Sequence, residues 1–171
     1  MEYIAGLHDN GTDDGCFLCT YWAEPEHDAE RHVIWRRGGC MVVLNRYPYT
    51  NGHLLIAPGQ HTADLGDLTT DNLTEMMALT RDAQRLLSEV NRAEGFNVGM
   101  NFGRCAGAGL PDHLHLHVVP RWNGDTNFMS VLGDTRVVPQ SLDALYARLA
   151  DAAPRLDLPA LVGAPNPSPE P

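Results

Sequence analysis

His113-Leu114-His115-Leu116-His117-Val118-Val119 alternates imidazoles with aliphatic side chains, and few folds accept that pattern. A strand turns successive side chains to opposite faces, so His113, His115 and His117 share one face while Leu114, Leu116 and Val118 share the other. Alternate residues lie about 7 Å apart, from a rise of about 3.4 Å each. The aliphatic face has to pack on a core, which leaves a strip of three imidazoles on the opposite face. Three readings of the strip stand side by side: a polar surface strip, a metal site built on His-x-His ligand pairs, and an imidazole nucleophile.

The surrounding sequence supplies a sheet for this strand. Val33-Ile34-Trp35 and Met41-Val42-Val43-Leu44 flank Gly38-Gly39, which signals a hairpin. Leu54-Leu55-Ile56-Ala57 is a further strand, stopped by Pro58-Gly59. Phe96–Phe102 and His113–Trp122 read as two strands joined by the Gly-rich loop from Gly103 to Pro111. Leu73, Met76, Met77, Thr80, Ala83, Leu87 and Val90 recur at helical spacing and predict a long helix from 71 to about 93. Thr70 or Asp71 is expected to cap it and Gly95 to end it, with Met76 and Met77 as core filler. A short helix is expected after Ser141, with Leu142, Leu145, Tyr146 and Leu149 on one side. The fold class is therefore α+β, a mostly antiparallel five-stranded sheet with one long helix and a short C-terminal one. Residues 1–15 read as a polar lead-in and 16–153 as the domain. Six of the 12 prolines fall in 154–171, predicting a tail without regular structure.

Charge and composition narrow the function classes. The formal net charge is -10, which argues against binding along a nucleic-acid backbone. All 12 basic residues are arginines, so a P-loop lysine and a Schiff-base lysine are both excluded. No apolar run approaches the roughly 18 residues of a bilayer span, so no membrane partner is expected. Met1-Glu2-Tyr3-Ile4 lacks the basic and apolar regions of a secretory signal, and a reducing, cytoplasmic compartment is the expectation. In that compartment the four cysteines are thiols or metal ligands rather than a disulfide framework.

Cys16-Phe17-Leu18-Cys19 has the spacing that lets two thiolates hold one tetrahedral zinc, with two more ligands needed from elsewhere. A redox pair and two inert buried thiols are the competing readings, although the βαβ context of a redox pair is missing. Cys40 and Cys105 are simplest as core or loop thiols. His8, His27 and His32 belong to none of these patterns.

His-Leu-His-Leu-His-Val-Val resembles the signature of the histidine triad superfamily of nucleotide hydrolases and transferases. Leu44-Asn45-x-x-Pro48-x-x-x-Gly52-His53-Leu54-Leu55-Ile56-Ala57-Pro58-x-x-His61 is similar to the family's upstream block. Gly107-Ala108-Gly109 and Pro120-Arg121-Trp122-x-Gly124-Asp125-Thr126-Asn127-Phe128-Met129 resemble the branch of diadenosine tetraphosphate phosphorylases. The resemblance implies the superfamily's fold and a nucleotidyl-histidine on His115 during cleavage of adenine dinucleoside polyphosphates. It implies that His117 contacts phosphate oxygens and His53 completes the catalytic set. Asn45 then meets the ribose, Asn101 the phosphates, and backbone N–H groups near Gly107 and Gly109 cradle phosphate. It also implies a structural zinc held by Cys16, Cys19, His61 and His113, a homodimer, and phosphate as acceptor, with Asn127 a further donor. One departure stands out: Gly109 and Leu110 occupy positions where many relatives carry Gln or Ser to help the leaving group depart.

Overall fold

The computed structural model describes residues 15–125 and 140–163. Five strands form one antiparallel sheet in the order β1-β2-β3-β5-β4. They are β1 (Val33–Arg37), β2 (Cys40–Leu44), β3 (Leu54–Pro58), β4 (Gly95–Met100) and β5 (Leu116–Arg121). Among the described residues three α-helices accompany them: α1 (Phe17–Ala23), α2 (Thr70–Asn91) and α3 (Leu142–Ala152). Gly38 and Gly39 both have positive φ, +56° and +76°, as the two-residue hairpin turn between β1 and β2 requires.

The central strands are buried on both faces. Cys40, Val42, Leu44, Leu54, Ile56, Leu116 and Val118 pack against α2 and α3. Met41, Val43, Leu55 and Ala57 face the other way, onto Cys16, Leu18 and the rest of α1. The imidazole face of β5 lies on this α1 side, so one strand serves core and site in alternation.

Helix α2 is set by its periodicity. Met76, Leu79, Ala83, Leu86 and Val90 are buried at steps of three and four. Its cap is Thr69, whose Oγ1 accepts from the Asn72 N–H at 3.1 Å, one residue before the expected position. It ends at Arg92 in the left-handed conformation rather than at Gly95, which opens β4. The Trp122 indole makes this end workable by donating to the carbonyls of Asn91 and Arg92 at 3.2 and 3.0 Å. Met77 is exposed rather than core, because it sits about 100° around the helix from Met76.

Three further differences from the sequence reading have physical causes. First, α1 follows directly from the cysteine pair, with Cys16 as its N-cap. Arg36 seats its far end, donating to both Asp28 carboxylate oxygens at 2.7 and 2.6 Å and to the Trp22 carbonyl at 3.1 Å. Second, His113 and His115 precede β5 rather than lie in it. The Leu114 N–H goes to the Thr62 carbonyl at 2.7 Å instead of to β3, whose pairing with β5 covers only Leu54–Ile56. Third, the expected unstructured tail is packed as far as residue 163. Trp35 Nε1 donates to the Pro159 carbonyl at 2.9 Å, the Val162 N–H to the Ile34 carbonyl at 3.1 Å, and Leu158 and Leu161 are buried. The prolines end the α-helix, yet Pro154–Leu156 forms a 3-10 turn and the chain beyond it runs as a strap along the sheet edge. No helix among the described residues is long and apolar enough to cross a membrane.

Candidate active site and metal centre

The Leu114/Leu116/Val118 face, anchored in the core, aims His115 and His117 to the other side of the sheet. His115 is 8% exposed, and its Nδ1–H donates to the His113 carbonyl at 2.8 Å. That bond fixes the tautomer and leaves the Nε2 lone pair as the reactive nitrogen. Burial lowers the His115 pKa below the ordinary imidazole range, opposed in part by this carbonyl. A neutral imidazole is the nucleophilic form.

His117 is held by a relay that starts in the β2–β3 turn. The Tyr49 backbone N–H donates to His53 Nδ1 at 3.1 Å, so the His53 proton sits on Nε2. His53 Nε2 lies 2.9 Å from His117 Nδ1 and donates to it, which leaves His117 with its own proton on Nε2. His53 is completely buried and acts through His117. The Tyr49 ring stacks on His117 with centroids 5.8 Å apart and planes 19° from parallel. The His115 and His117 rings meet edge to face at 4.9 Å. A lone pair on one imidazole and an N–H on its neighbour make a nucleophile beside an oxyanion donor.

Burial first, and the neighbouring His115 second, push the His117 pKa down to about 4. An unfolded histidine titrates near 6.5, so below that pH the unfolded chain binds the extra proton. Stability conferred by neutral His117 is therefore complete above about pH 6.5 and falls as the pH drops toward 4, by up to about 3 kcal/mol. Urea titrations of wild type and His117→Gln at pH 7 and pH 5 should show a smaller pH dependence in the variant. Identical dependence would contradict the burial of a neutral ring.

The remaining candidates fall around this pair. Asn45 Oδ1 accepts from the Tyr47 N–H at 2.9 Å, which turns Nδ2 toward His53 Nδ1 at 3.2 Å. Its amide thus supports the relay. Asn101 Nδ2 reaches the Gly107 carbonyl at 3.5 Å and ties the loop before β5 to the end of β4. The expected glycine cradle is narrower than the sequence implied. The N–H groups of Ala106, Gly107 and Ala108 bond within the loop, to the carbonyls of Gly103, Arg104 and Gly103. The Gly109 N–H takes no part in those bonds. Leu110 packs with the α1-side cluster, so it contributes apolar contact and no proton. Asn127 lies outside the described residues. Tyr49 was missed by sequence reasoning; only the Pro48–His53 spacing hinted that this turn folds back on its own histidine.

A second cluster adjoins the first. One ligand atom each of Cys16, Cys19, His61 and His113 lie within 4.8 Å of one another. Cys16 Sγ and Cys19 Sγ are 3.1 and 3.4 Å from His113 Nδ1, and Cys19 Sγ is 3.2 Å from His61 Nδ1. Tetrahedral zinc places sulfur and nitrogen ligands about 3.5 Å apart, so the donor set fits. His113 donates from Nε2 to the Pro58 carbonyl at 2.9 Å, which turns Nδ1 toward the thiols. Burial and the adjacent Cys16 push the Cys19 thiol up to about 11, a cost that a divalent cation between the sulfurs reverses. Gly59 completes the seat: a Cβ there would fall 2.3 Å from the Trp22 ring of α1. Both cysteines are free thiols at the start of α1, and the sheet beside them is antiparallel, so the βαβ context of a redox pair stays missing among the described residues. His113 joins the clusters, since its ring faces the thiols while its carbonyl holds His115.

Comparison with known proteins agrees with this geometry. The HIT domain profile matches residues 26–124, more than half of the chain. An AP-4-A phosphorylase of Mycobacterium tuberculosis is 45% identical over 119 residues, covering 69% of this chain and 61% of that protein. The chain thus spans under two thirds of that relative's length. A bis(5'-nucleosyl)-tetraphosphatase (asymmetrical) of Schizosaccharomyces pombe is 32% identical over 54% of this chain and 50% of its own. The crystal structure of a Zn-bound histidine triad family protein from Mycobacterium smegmatis superposes with a TM-score of 0.65 at 30% identity, covering 84% of this chain and 98% of that one.

Proposed function

The chain belongs to the HIT domain family, and on that premise we propose that it is a nucleotidyl transferase that splits adenine dinucleoside polyphosphates, with phosphate as acceptor. The observation that carries the reading is the His115 tautomer: Nδ1–H is fixed on the His113 carbonyl and Nε2 is left to attack. Cleavage then runs in two displacements. His115 Nε2 forms a bond to the α-phosphorus, and the bond to the bridging oxygen breaks with its electron pair on the departing polyphosphate. A phosphate oxygen next attacks the same phosphorus, and the pair of the P–N bond returns to Nε2. Diadenosine tetraphosphate plus phosphate thus gives ATP and ADP.

His117 Nε2–H donates to a non-bridging phosphate oxygen, and His53 keeps that proton in place through Nδ1 of His117. The absence of a side-chain acid at Gly109 and Leu110 suits a polyphosphate leaving group, which departs as an anion. Asn45 and Asn101 border the nucleotide, and Gly109 offers an N–H that lies outside the loop's internal bonds. Zinc held by Cys16, Cys19, His61 and His113 serves structure when bound, pinning α1 to the segment whose carbonyl orients His115. β4 is the edge strand of the sheet among the described residues, which suits a homodimer, and two reduced thiolates suit the cytoplasm. The name of the Mycobacterium tuberculosis relative supports phosphate as acceptor, and that of the Schizosaccharomyces pombe relative supports the hydrolytic alternative.

Product analysis with diadenosine tetraphosphate decides between them. In millimolar phosphate, ADP and ATP should dominate. AMP with ATP would make the protein a hydrolase, and no cleavage at all would leave a nucleotide-binding protein.

A further inference from the structure

Gly99 stands inside a six-residue strand, one residue before its end, and glycine within a strand weakens pairing and marks a bulge, a bend or a close approach. The usual causes are absent. Its φ is not among the positive ones, and β4 pairs with β5 without a register shift from Gly95 to Met100. A Cβ built on Gly99 meets nothing within 4 Å, so no packed neighbour of the described residues demands the glycine. The same holds for Gly95.

The register places this bareness. Gly99 is directly opposite His117, Asn97 opposite Val119 and Gly95 opposite Arg121. Directly opposed residues share a face, so Gly99, Asn97 and Gly95 lie on the imidazole face. Phe96 and Met100 lie on the other face and pack against the α2 core. The result is a shelf roughly 13 Å long, starting beside His117 and running to Arg121. Arg121 is held at the far end by donating to Asp125 at 2.6 and 2.7 Å and to the Asn97 side-chain Oδ1 at 2.6 Å. Asn97 is thereby drawn along the shelf toward Arg121.

We propose that Gly99 is a specificity-determining position, and that the bare β4 shelf carries the part of a polyphosphate substrate beyond the phosphate that His115 attacks. The inference rests on the nucleotide-cleaving reading above and adds where the departing chain lies. A side chain at position 99 projects beside the His117 ring, into the path of a long substrate. A substrate that ends near the α-phosphate does not reach it. A valine suits a strand, so Gly99→Val tests the space without opposing the fold.

The test compares wild type, Gly99→Ala and Gly99→Val in three readouts. These are kcat/KM for diadenosine tetraphosphate and for adenosine 5'-phosphoramidate, calorimetric Kd for ATP and AMP, and solution mass. Gly99→Val should lose about tenfold or more in kcat/KM on the tetraphosphate and a similar factor in ATP affinity, with Gly99→Ala between. Phosphoramidate turnover and AMP affinity should stay within about twofold. Equal losses on long and short ligands, or no loss on either, would overturn the proposal. So would a changed solution mass, which would assign the bare face to a second copy of the chain. If the wild type turns over neither substrate but binds both nucleotides, the enzymatic reading fails while the ATP-to-AMP contrast still decides the shelf. If it binds neither nucleotide, both readings fall.

Discussion

His115→Ala should lower kcat on diadenosine tetraphosphate by roughly three to six orders of magnitude while leaving AMP affinity within a few-fold of wild type. The loss is large because the two-step route has no other nucleophile: His117 Nδ1 already accepts from His53, and its Nε2 carries the proton. Removing a covalent nucleophile elsewhere costs factors of this size. Binding should survive because the groups proposed to border the nucleotide, Asn45, Asn101 and the Gly109 N–H, are separate from the His115 ring. Single-turnover kinetics and calorimetry on one preparation separate the two effects. Retained turnover would remove His115 from the reaction.

The second large effect is expected at the thiol–imidazole cluster. Protein purified without added metal should hold one zinc per chain, and Cys16→Ser should lose it. Cys16 caps α1, Cys19 lies in its first turn, and His113 precedes β5, so a metal bound there would link segments about a hundred residues apart in sequence. Structural zinc contributes several kcal/mol to folding, and at this chain length a loss of that size lowers Tm by roughly 10 °C. Elemental analysis and thermal melts are the measurements. No zinc in wild type, together with an unchanged Tm in Cys16→Ser, would contradict the assignment. Cys105→Ser is the control, since that thiol is exposed and outside the cluster.

Residue pattern made much of this architecture readable in advance. Strict alternation from His113 to Val118 identified a strand-like segment with separate core and site faces, and the structure buries Leu114, Leu116 and Val118 accordingly. Gly38-Gly39 marked the hairpin because both positions need positive φ. Other features depend on tertiary contacts that leave no local trace. Helix α1 is seven residues long and lacks a side-chain cap, and it is held by the Arg36 guanidinium and by the Trp22 ring lying over Gly59. The end of β5 at Leu116 follows from where the Leu114 N–H and the His113 ring find partners. Arg92 ends α2 because Trp122 satisfies the last carbonyls, a contact thirty residues away. In the site, residue types and spacing pointed to the histidines and cysteines. The direction of each proton did not follow from spacing, because it is set by the Tyr49 N–H and the His113 carbonyl. The glycine loop shows the reverse error: its composition suggested phosphate-binding N–H groups, yet Ala106, Gly107 and Ala108 direct theirs inward.

The central claim is a covalent nucleotidyl intermediate on His115, and its most direct test is a rapid-mixing experiment. Wild-type protein and diadenosine tetraphosphate are combined without phosphate and quenched in alkali, which preserves a P–N bond. Intact mass and peptide mapping then locate any adduct. One AMP unit should appear on His115 within the first turnover, alongside ATP, and adding phosphate before the quench should discharge it as ADP. ATP release with no adduct on His115, or an adduct on another residue, would contradict the account.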